Sequence, residues 1–147
     1  MKTKFFGFTL IEVVVAIAII SILAAIAYPS YLSQVRKSNR SDAKVALTSV
    51  AQRMQRCFTS AGKYNPSAGT CAVVDDVTGS GISSDQGYYL VKLADADVTA
   101  TTYILKATPV SGTPQAQDTQ CAVLTLNQIG VQGASDSSNN DTSDTCW

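Results

Sequence analysis

The 147-residue sequence contains no histidine and only one tryptophan. Without histidine, nucleophilic catalysis by a Ser-His or Cys-His pair is excluded. No glycine-rich loop of the phosphate-binding kind follows an apolar strand pattern. Asp75 and Asp76 are adjacent, so on a strand or loop their carboxylates diverge, and a solvated turn accounts for them better than acid/base work. We therefore expect neither an enzyme nor a resident cofactor.

The sequence also lacks net charge, because 11 basic side chains balance 11 acidic ones. Proteins that bind nucleic acid usually carry a basic excess, so contact with nucleic acid or a host surface is possible but not indicated. Charge is scarcest near the N-terminus. Between Lys4 and Arg36 the only charged side chain is Glu12.

Metal ligands are scarce as well. No two cysteines have the CxxC spacing, and the lack of histidine makes zinc improbable. Asp136, Asp141 and Asp144 are candidate calcium ligands, but their spacing does not fit an EF-hand loop and no glutamate closes it. We expect no metal site.

Cysteines are few but even in number: Cys57, Cys71, Cys121 and Cys146. An even count in a small exported domain indicates two disulfides formed in an oxidising compartment. Three connectivities are possible. We favour Cys57–Cys71 and Cys121–Cys146, because each bond closes a short loop across a region predicted to turn.

Residues 8–28 form one long apolar run. At 1.5 Å per residue a helix of this length crosses the roughly 30 Å hydrocarbon core of a bilayer. Lys2 and Lys4, ahead of the run, favour a cytoplasmic N-terminus. A secretory signal cleaved after residues 25–27 and a plain signal anchor are the alternatives. The run is long for a secretory signal, and neither alternative accounts for a carboxylate inside it.

Glu12 is that carboxylate. A charged group inside a bilayer costs a few kcal/mol or more, so it marks a function and needs a partner. A cut between Gly7 and Phe8 would create an α-amino group four residues, or one helical turn, before Glu12. That cation could pair with Glu12 in the same chain or in a neighbouring one.

The six residues from Gly7 to Glu12, with Pro29 downstream, resemble the prepilin motif of type IV pilins and type II secretion pseudopilins. The resemblance implies that a prepilin peptidase cuts after Gly7 and methylates Phe8. It also implies that Glu12 recruits the subunit to a fibre by neutralising a neighbour's N-terminus. The C-terminal part is similar to minor pilins of the PilE type, on Tyr103, Ala107-Thr108-Pro109, Cys121, residues 124–128, Gly130, Gly133 and Cys146-Trp147.

The periodicity of the first 61 residues predicts one helix over about 8–61, kinked near Pro29. Residues 8–28 are apolar all round, whereas residues 29–61 carry an apolar stripe that a sheet must cover. Gly62 is expected to stop the helix. A polar patch on the second half is interpreted as a solvated or inter-subunit face; it consists of Arg36, Lys37, Arg40 and Asp42.

The remainder, 62–147, is predicted as a globular head. An irregular loop over 63–86 leads to strands over 88–93, 101–108 and 121–126, with a short fourth strand around Val131. The polar tail 133–145 cannot order itself by burial and is held back by Cys146. Trp147 is expected on the sheet edge. The fold class is α+β: a long helix packed against a roughly four-stranded antiparallel sheet.

The expected function is that of a structural pilus subunit, a minor pilin that supports assembly, twitching motility, adhesion or DNA uptake. Residues 1–7 would be the leader, and the chain would sit in the inner membrane with its head in the periplasm before joining the extracellular fibre. Its partners would be other pilin subunits, the prepilin peptidase and the inner-membrane assembly machinery. A type II secretion pseudopilin and a non-polymerising, signal-anchored periplasmic domain are the alternatives.

Overall fold

A computed structural model describes residues 8–147, so the leader and the Gly7 side of the expected cleavage site lie outside the described residues. Helix α1 spans Leu10–Ala61, 52 residues, and continues through Pro29. It ends as predicted, because Gly62 adopts a positive φ of 71° and its N–H donates to the carbonyl of Phe58 at 2.8 Å. The kink near Pro29 stays a prediction.

The described chain divides into two compact units, one up to Val35 and one from Arg36 to Trp147. The first unit is the apolar part of α1. The second holds the rest of α1 together with a five-stranded sheet in the order β1-β2-β3-β4-β5, antiparallel throughout. The strands are β1 (Ile82–Ser83), β2 (Tyr89–Lys92), β3 (Ile104–Pro109), β4 (Val123–Asn127) and β5 (Gln132–Ser135).

The core of the second unit lies between α1 and the sheet. The predicted helical stripe is buried there, with Ala43, Leu47 and Met54 fully covered. Alternate strand residues face the helix: in β2 and β3, for example, Val91 lies opposite Ala107, and both are buried. The α+β class and the helix-on-sheet arrangement are confirmed, with one strand more than the four predicted.

The prediction of an irregular loop over 63–86 is wrong in its middle. A short helix, α2, spans Ala72–Thr78 and buries Val73, Val74 and Val77 against the core. These three positions share one helical face, at i, i+1 and i+4. Seven residues surrounded by glycine, serine and aspartate give too weak a period to stand out in the sequence.

Two disulfides join Cys57 to Cys71 and Cys121 to Cys146, the connectivity favoured from sequence. The first holds the start of α2 against the end of α1. The second ties the chain terminus to a 3₁₀ turn, Thr119–Cys121, which precedes β4. The sequence prediction placed Cys121 in the strand itself, two residues too early.

The polar tail is more structured than its composition suggests. It contributes β5 and a last turn of helix, α3 (Ser143–Cys146). The Asp136 carboxylate accepts backbone N–H groups from Ser138 and Asn140 at 2.8 and 2.9 Å. These local bonds lower the pKa of Asp136, the side-chain bond from Asn140 most of all. Side-chain-to-backbone bonds thus replace apolar burial as the source of order.

Candidate functional site

The apolar half of α1 presents its side chains outward. An 18-residue window near its N-terminus has a mean hydropathy of 2.9, and none of that window is buried by the described chain. By length and composition it is long enough to cross a membrane, a test that signal sequences also pass. Phe8, at the start of the described residues, is 84% exposed. Only lipid or the apolar surfaces of other molecules can cover such a surface.

Glu12 is the one charged side chain on this surface, and it is exposed. Its backbone N–H donates to the Thr9 hydroxyl at 3.4 Å. None of the ion pairs formed within residues 8–147 includes the Glu12 carboxylate. Any cation that pairs with Glu12 would therefore come from outside these residues. The exposed positions of Glu12 and Phe8 are consistent with the roles predicted for them. Those roles remain predictions.

Arg40, expected in a solvated or inter-subunit patch, is instead buried, so that interpretation is wrong for this residue. Its Nε and Nη2 donate to the two carboxylate oxygens of Asp118 at 2.7 and 3.0 Å. The side chains of the pair are 8% and 4% exposed. Gln115 donates a further bond to Asp118 at 2.8 Å. Arg40 precedes Ala43 by three residues and Leu47 by seven, so the helical stripe itself was the signal that placed it inward.

Arg40 also connects α1 to the C-terminal disulfide. Asp118 lies three residues before Cys121, and Arg40 Nη1 approaches the carbonyl of Thr145, next to Cys146, at 3.5 Å. The guanidinium group thus binds residues beside both cysteines of the disulfide. It is the central polar contact between α1 and the end of the chain.

Lys44, one turn further along α1, reaches the same region. Its Nζ donates to the Trp147 carbonyl at 2.8 Å and lies 5.5 Å from the centroid of the indole ring. Burial lowers the pKa of Lys44, and the positive charges of Arg40 and Lys37 lower it further. Trp147 in turn donates its indole N–H to the carbonyl of Gly133 at 2.6 Å, on the edge strand β5, as expected from sequence.

The outward face of the sheet carries a pair of like charges. Lys92 on β2 and Lys106 on β3 are direct cross-strand partners. Lys106 contacts the Asp97 carboxylate at 2.7 Å, whereas Lys92 is exposed. Like charges directly opposite each other destabilise a sheet. The chain therefore carries a cross-strand pair of lysines here that the packing of the sheet does not require.

No group of three or more metal-ligating side chains gathers anywhere in residues 8–147. Asp136 and Asp141 instead bond to neighbouring groups of the tail. The sites that the geometry does define are therefore an apolar helix with one carboxylate, a buried ion pair beneath a disulfide, and a cross-strand pair of lysines.

The chain thus combines a long helix, exposed and apolar at its start, with an antiparallel sheet and a disulfide-bounded C-terminal region. This is the architecture of a type IV pilin subunit. The N-terminal residues 2–28 match the model of the prokaryotic N-terminal methylation motif. Residues 29–125 match the family described as type IV minor pilin ComP, DNA uptake sequence receptor. The chain belongs to this family of minor type IV pilins.

Among solved structures, the chain is similar to the non-core minor pilin PilV of Neisseria meningitidis, with 23% identity and a TM-score of 0.55. That match covers 74% of this chain and 94% of the other, and it supports the fold. A type IV pilin from Shewanella oneidensis is also similar, at 23% identity and a TM-score of 0.45, covering 66% and 89% of the two chains. No curated protein sequence matches.

Proposed function

We propose that this minor pilin is made as a membrane-anchored precursor, cut between Gly7 and Phe8, methylated at Phe8, and built into a type IV pilus through α1. The observation that carries the proposal is the exposed apolar surface of α1 around a single carboxylate. In the precursor, lipid covers this surface. In the fibre, helices of neighbouring subunits cover it.

Glu12 favours the transfer of the subunit from the membrane into the fibre. A carboxylate held in hydrocarbon is unfavourable by a few kcal/mol or more, and pairing with a neighbour's N-terminal amine removes much of that penalty. Since the peptidase cut creates the amine, an uncut subunit offers no partner to the Glu12 of a neighbour. Processing and assembly are then coupled by the same ion pair.

A Glu12→Ala variant tests this role. We expect it to be cut and methylated normally but to be poorly incorporated into pili. Ser21→Ala is a matched control, because Ser21 is a polar residue of the same exposed segment whose hydroxyl only bonds the carbonyl of Ile17. In a strain where deletion of the chain abolishes piliation, normal piliation with Glu12→Ala would refute the pairing role.

The partners that follow are other pilins, the prepilin peptidase and the inner-membrane assembly machinery. The subunit waits in the inner membrane with its head in the periplasm and then joins the extracellular fibre. The family match favours a pilus subunit over a type II secretion pseudopilin and over a non-polymerising anchored domain. Co-purification with sheared pili distinguishes a pilus subunit from both alternatives.

A second function, DNA binding during uptake, is favoured by the description of the family and by one surface feature. Composition alone did not indicate it, because the net charge is zero. The cross-strand pair of Lys92 and Lys106 is nevertheless placed to contact two phosphates of a duplex lying on the outward face of the sheet. Asp97 holds Lys106 in the free protein.

The test uses the full chain in detergent and a labelled DNA duplex, with affinity measured across a salt series. Each phosphate contact contributes about 0.9 to the slope of log K against log salt, so Lys92→Gln/Lys106→Gln should reduce the slope by roughly two. Arg56→Gln/Lys63→Gln removes equal charge from other exposed positions and should leave it unchanged. An unchanged slope in the first variant would contradict this site.

A further inference from the structure

The start of the second unit carries a dense group of basic residues. Arg36, Lys37, Arg40 and Lys44 fall within nine residues of α1, and Asp42 is the one acid among them. Arg40 is neutralised by Asp118. Lys44 is held against Trp147 within the head. We call the other two, Arg36 and Lys37, the basal cations.

The chain does not neutralise the basal cations. Arg36 donates to the neutral amide oxygen of Gln117 at 3.0 Å. Lys37 is exposed, and none of the ion pairs within residues 8–147 includes either of the two. The crowding of basic residues in this part of α1 has a cost, since Arg40 and Lys37 both disfavour the charge on Lys44 and add to the lowering of its pKa by burial. An anion from outside the chain would relieve it.

The charge of the whole chain is divided along its length. Residues 8–44 carry four basic and two acidic side chains, whereas residues 45–147 carry five basic and nine acidic ones. Positive charge is therefore concentrated on the segment that directly follows the apolar part of α1.

This placement opposes the usual bias of membrane proteins. Basic residues next to a membrane span accumulate on the cytoplasmic side, yet the basal cations follow the span on its periplasmic side. The proposed cut removes Lys2 and Lys4, so the mature chain keeps basic side chains on the head side only. A role in which these charges face the membrane would account for this reversed distribution.

We propose that Arg36 and Lys37 bind the phosphate groups of anionic phospholipids on the periplasmic surface while the subunit waits for assembly. The inference rests on the proposed orientation, with the head in the periplasm. Arg36 comes eight residues after Tyr28, a helical rise of about 12 Å. The headgroup layer extends roughly 5–7 Å beyond the hydrocarbon, and long basic side chains bridge the rest by turning their tips toward it.

The contact suits a waiting state because it is reversible. A basic residue near an anionic surface favours binding about fivefold, and the attraction decays within a Debye length. Two such residues restrain the base of the head against the membrane, and the restraint disappears once the subunit rises out of the bilayer. The lipid thus holds the subunit without adding a permanent anchor.

Trp147 makes the proposal measurable, since it is the only tryptophan and lies beside Lys44. The mature full-length chain is placed in nanodiscs of phosphatidylcholine alone, or of phosphatidylcholine and phosphatidylglycerol in equal amounts, each with dansyl-labelled headgroups. Energy transfer from Trp147 should increase with phosphatidylglycerol and fall back in high salt. Arg36→Gln/Lys37→Gln should lower the ratio of lipid-bound to free heads by about 25-fold.

Arg56→Gln/Lys63→Gln loses the same charge from exposed positions elsewhere and should behave as the wild type. Lys37→Gln alone, at an exposed position, should lower the ratio about fivefold without a change in near-ultraviolet circular dichroism. Equal transfer in both lipid mixtures would overturn the proposal, as would binding of these residues to a DNA duplex but not to phosphatidylglycerol. Failure of the chain to enter the nanodisc at all would instead contradict the membrane stage of the proposed function, and with it this inference.

Discussion

Replacing Asp118 by asparagine should strongly destabilise the head. The new amide side chain would keep the shape of the original and one acceptor oxygen. It would leave the buried guanidinium of Arg40 without a counter-charge, held by one neutral bond and the 3.5 Å approach to Thr145. Gln115 gives the guanidinium no direct support, because it donates to Asp118 and not to Arg40.

The size of the effect follows from burial. Breaking a buried pair by removing one partner costs about 3–5 kcal/mol, because the remaining charge stays desolvated. With both side chains under 10% exposed and two bonds of 2.7 and 3.0 Å, this pair belongs to that class. For a domain of this size the corresponding decrease in melting temperature is on the order of 10–20 °C.

Thermal unfolding of the full chain in detergent, followed by near-ultraviolet circular dichroism with the disulfides intact, measures this effect. Arg40→Met/Asp118→Leu is the informative partner variant, since replacing both charges by apolar groups should recover much of the loss. Arg53→Gln is a matched control, because it removes a pair with Asp76 that is exposed and 3.5 Å long. A loss below about 1 kcal/mol for Asp118→Asn would refute the argument from burial.

Three further predictions concern the same unit. Replacing both Cys121 and Cys146 by serine should cost roughly 3–4 kcal/mol in the chain-entropy model, measured by denaturant unfolding, and an unchanged midpoint would contradict it. Burial raises the pKa of Tyr103 to about 12, with a contribution from Tyr64. The folded state then keeps a proton that the unfolded chain releases above about pH 10, so stability should be level below that pH and fall as the pH rises toward 12. Tyr103→Phe should reduce that slope by one proton, and an equally steep decline would refute the assignment. Gly133→Ala brings a Cβ within 2.6 Å of the Thr125 hydroxyl and should lower the free energy of unfolding by about 1–3 kcal/mol. An added Thr125→Ala should recover most of that loss, and no recovery would contradict the assignment of the clash to this hydroxyl.

Features with a local period were predictable from sequence. The end of α1 follows from an apolar stripe and Gly62, and β2 to β4 from alternation between turn residues. The short fourth strand was predicted too early, around Val131, because β5 spans Gln132–Ser135, mostly within the predicted polar tail. Two-residue β1 offers no period, and α2 is hidden because its three valines sit among polar neighbours. For each of these, contacts with distant parts of the chain supply the stability that the local sequence does not show.

The buried ion pair and the hydrogen-bonded polar residues were harder to predict than the apolar surfaces. Arg40 was grouped with its charged neighbours, although its position on the buried stripe was visible in the sequence. Its partner Asp118 lies 78 residues away, so no local pattern links the two. The tail is similar, because Asp136 organises a loop through hydrogen bonds that composition does not report. Glu12 was found because a carboxylate inside an apolar run stands out against its background.

The most direct test of the assembly account is the chemical identity of the N-terminus of this subunit in sheared pili. Mass spectrometry of the N-terminal peptide should show a chain that begins at Phe8 and carries a methyl group on its α-amine. A chain that begins at Tyr28, as a secretory signal cut after residue 27 would leave it, would lack both the apolar half of α1 and Glu12. That result, or an intact leader in the fibre, would contradict polymerisation through the processed helix.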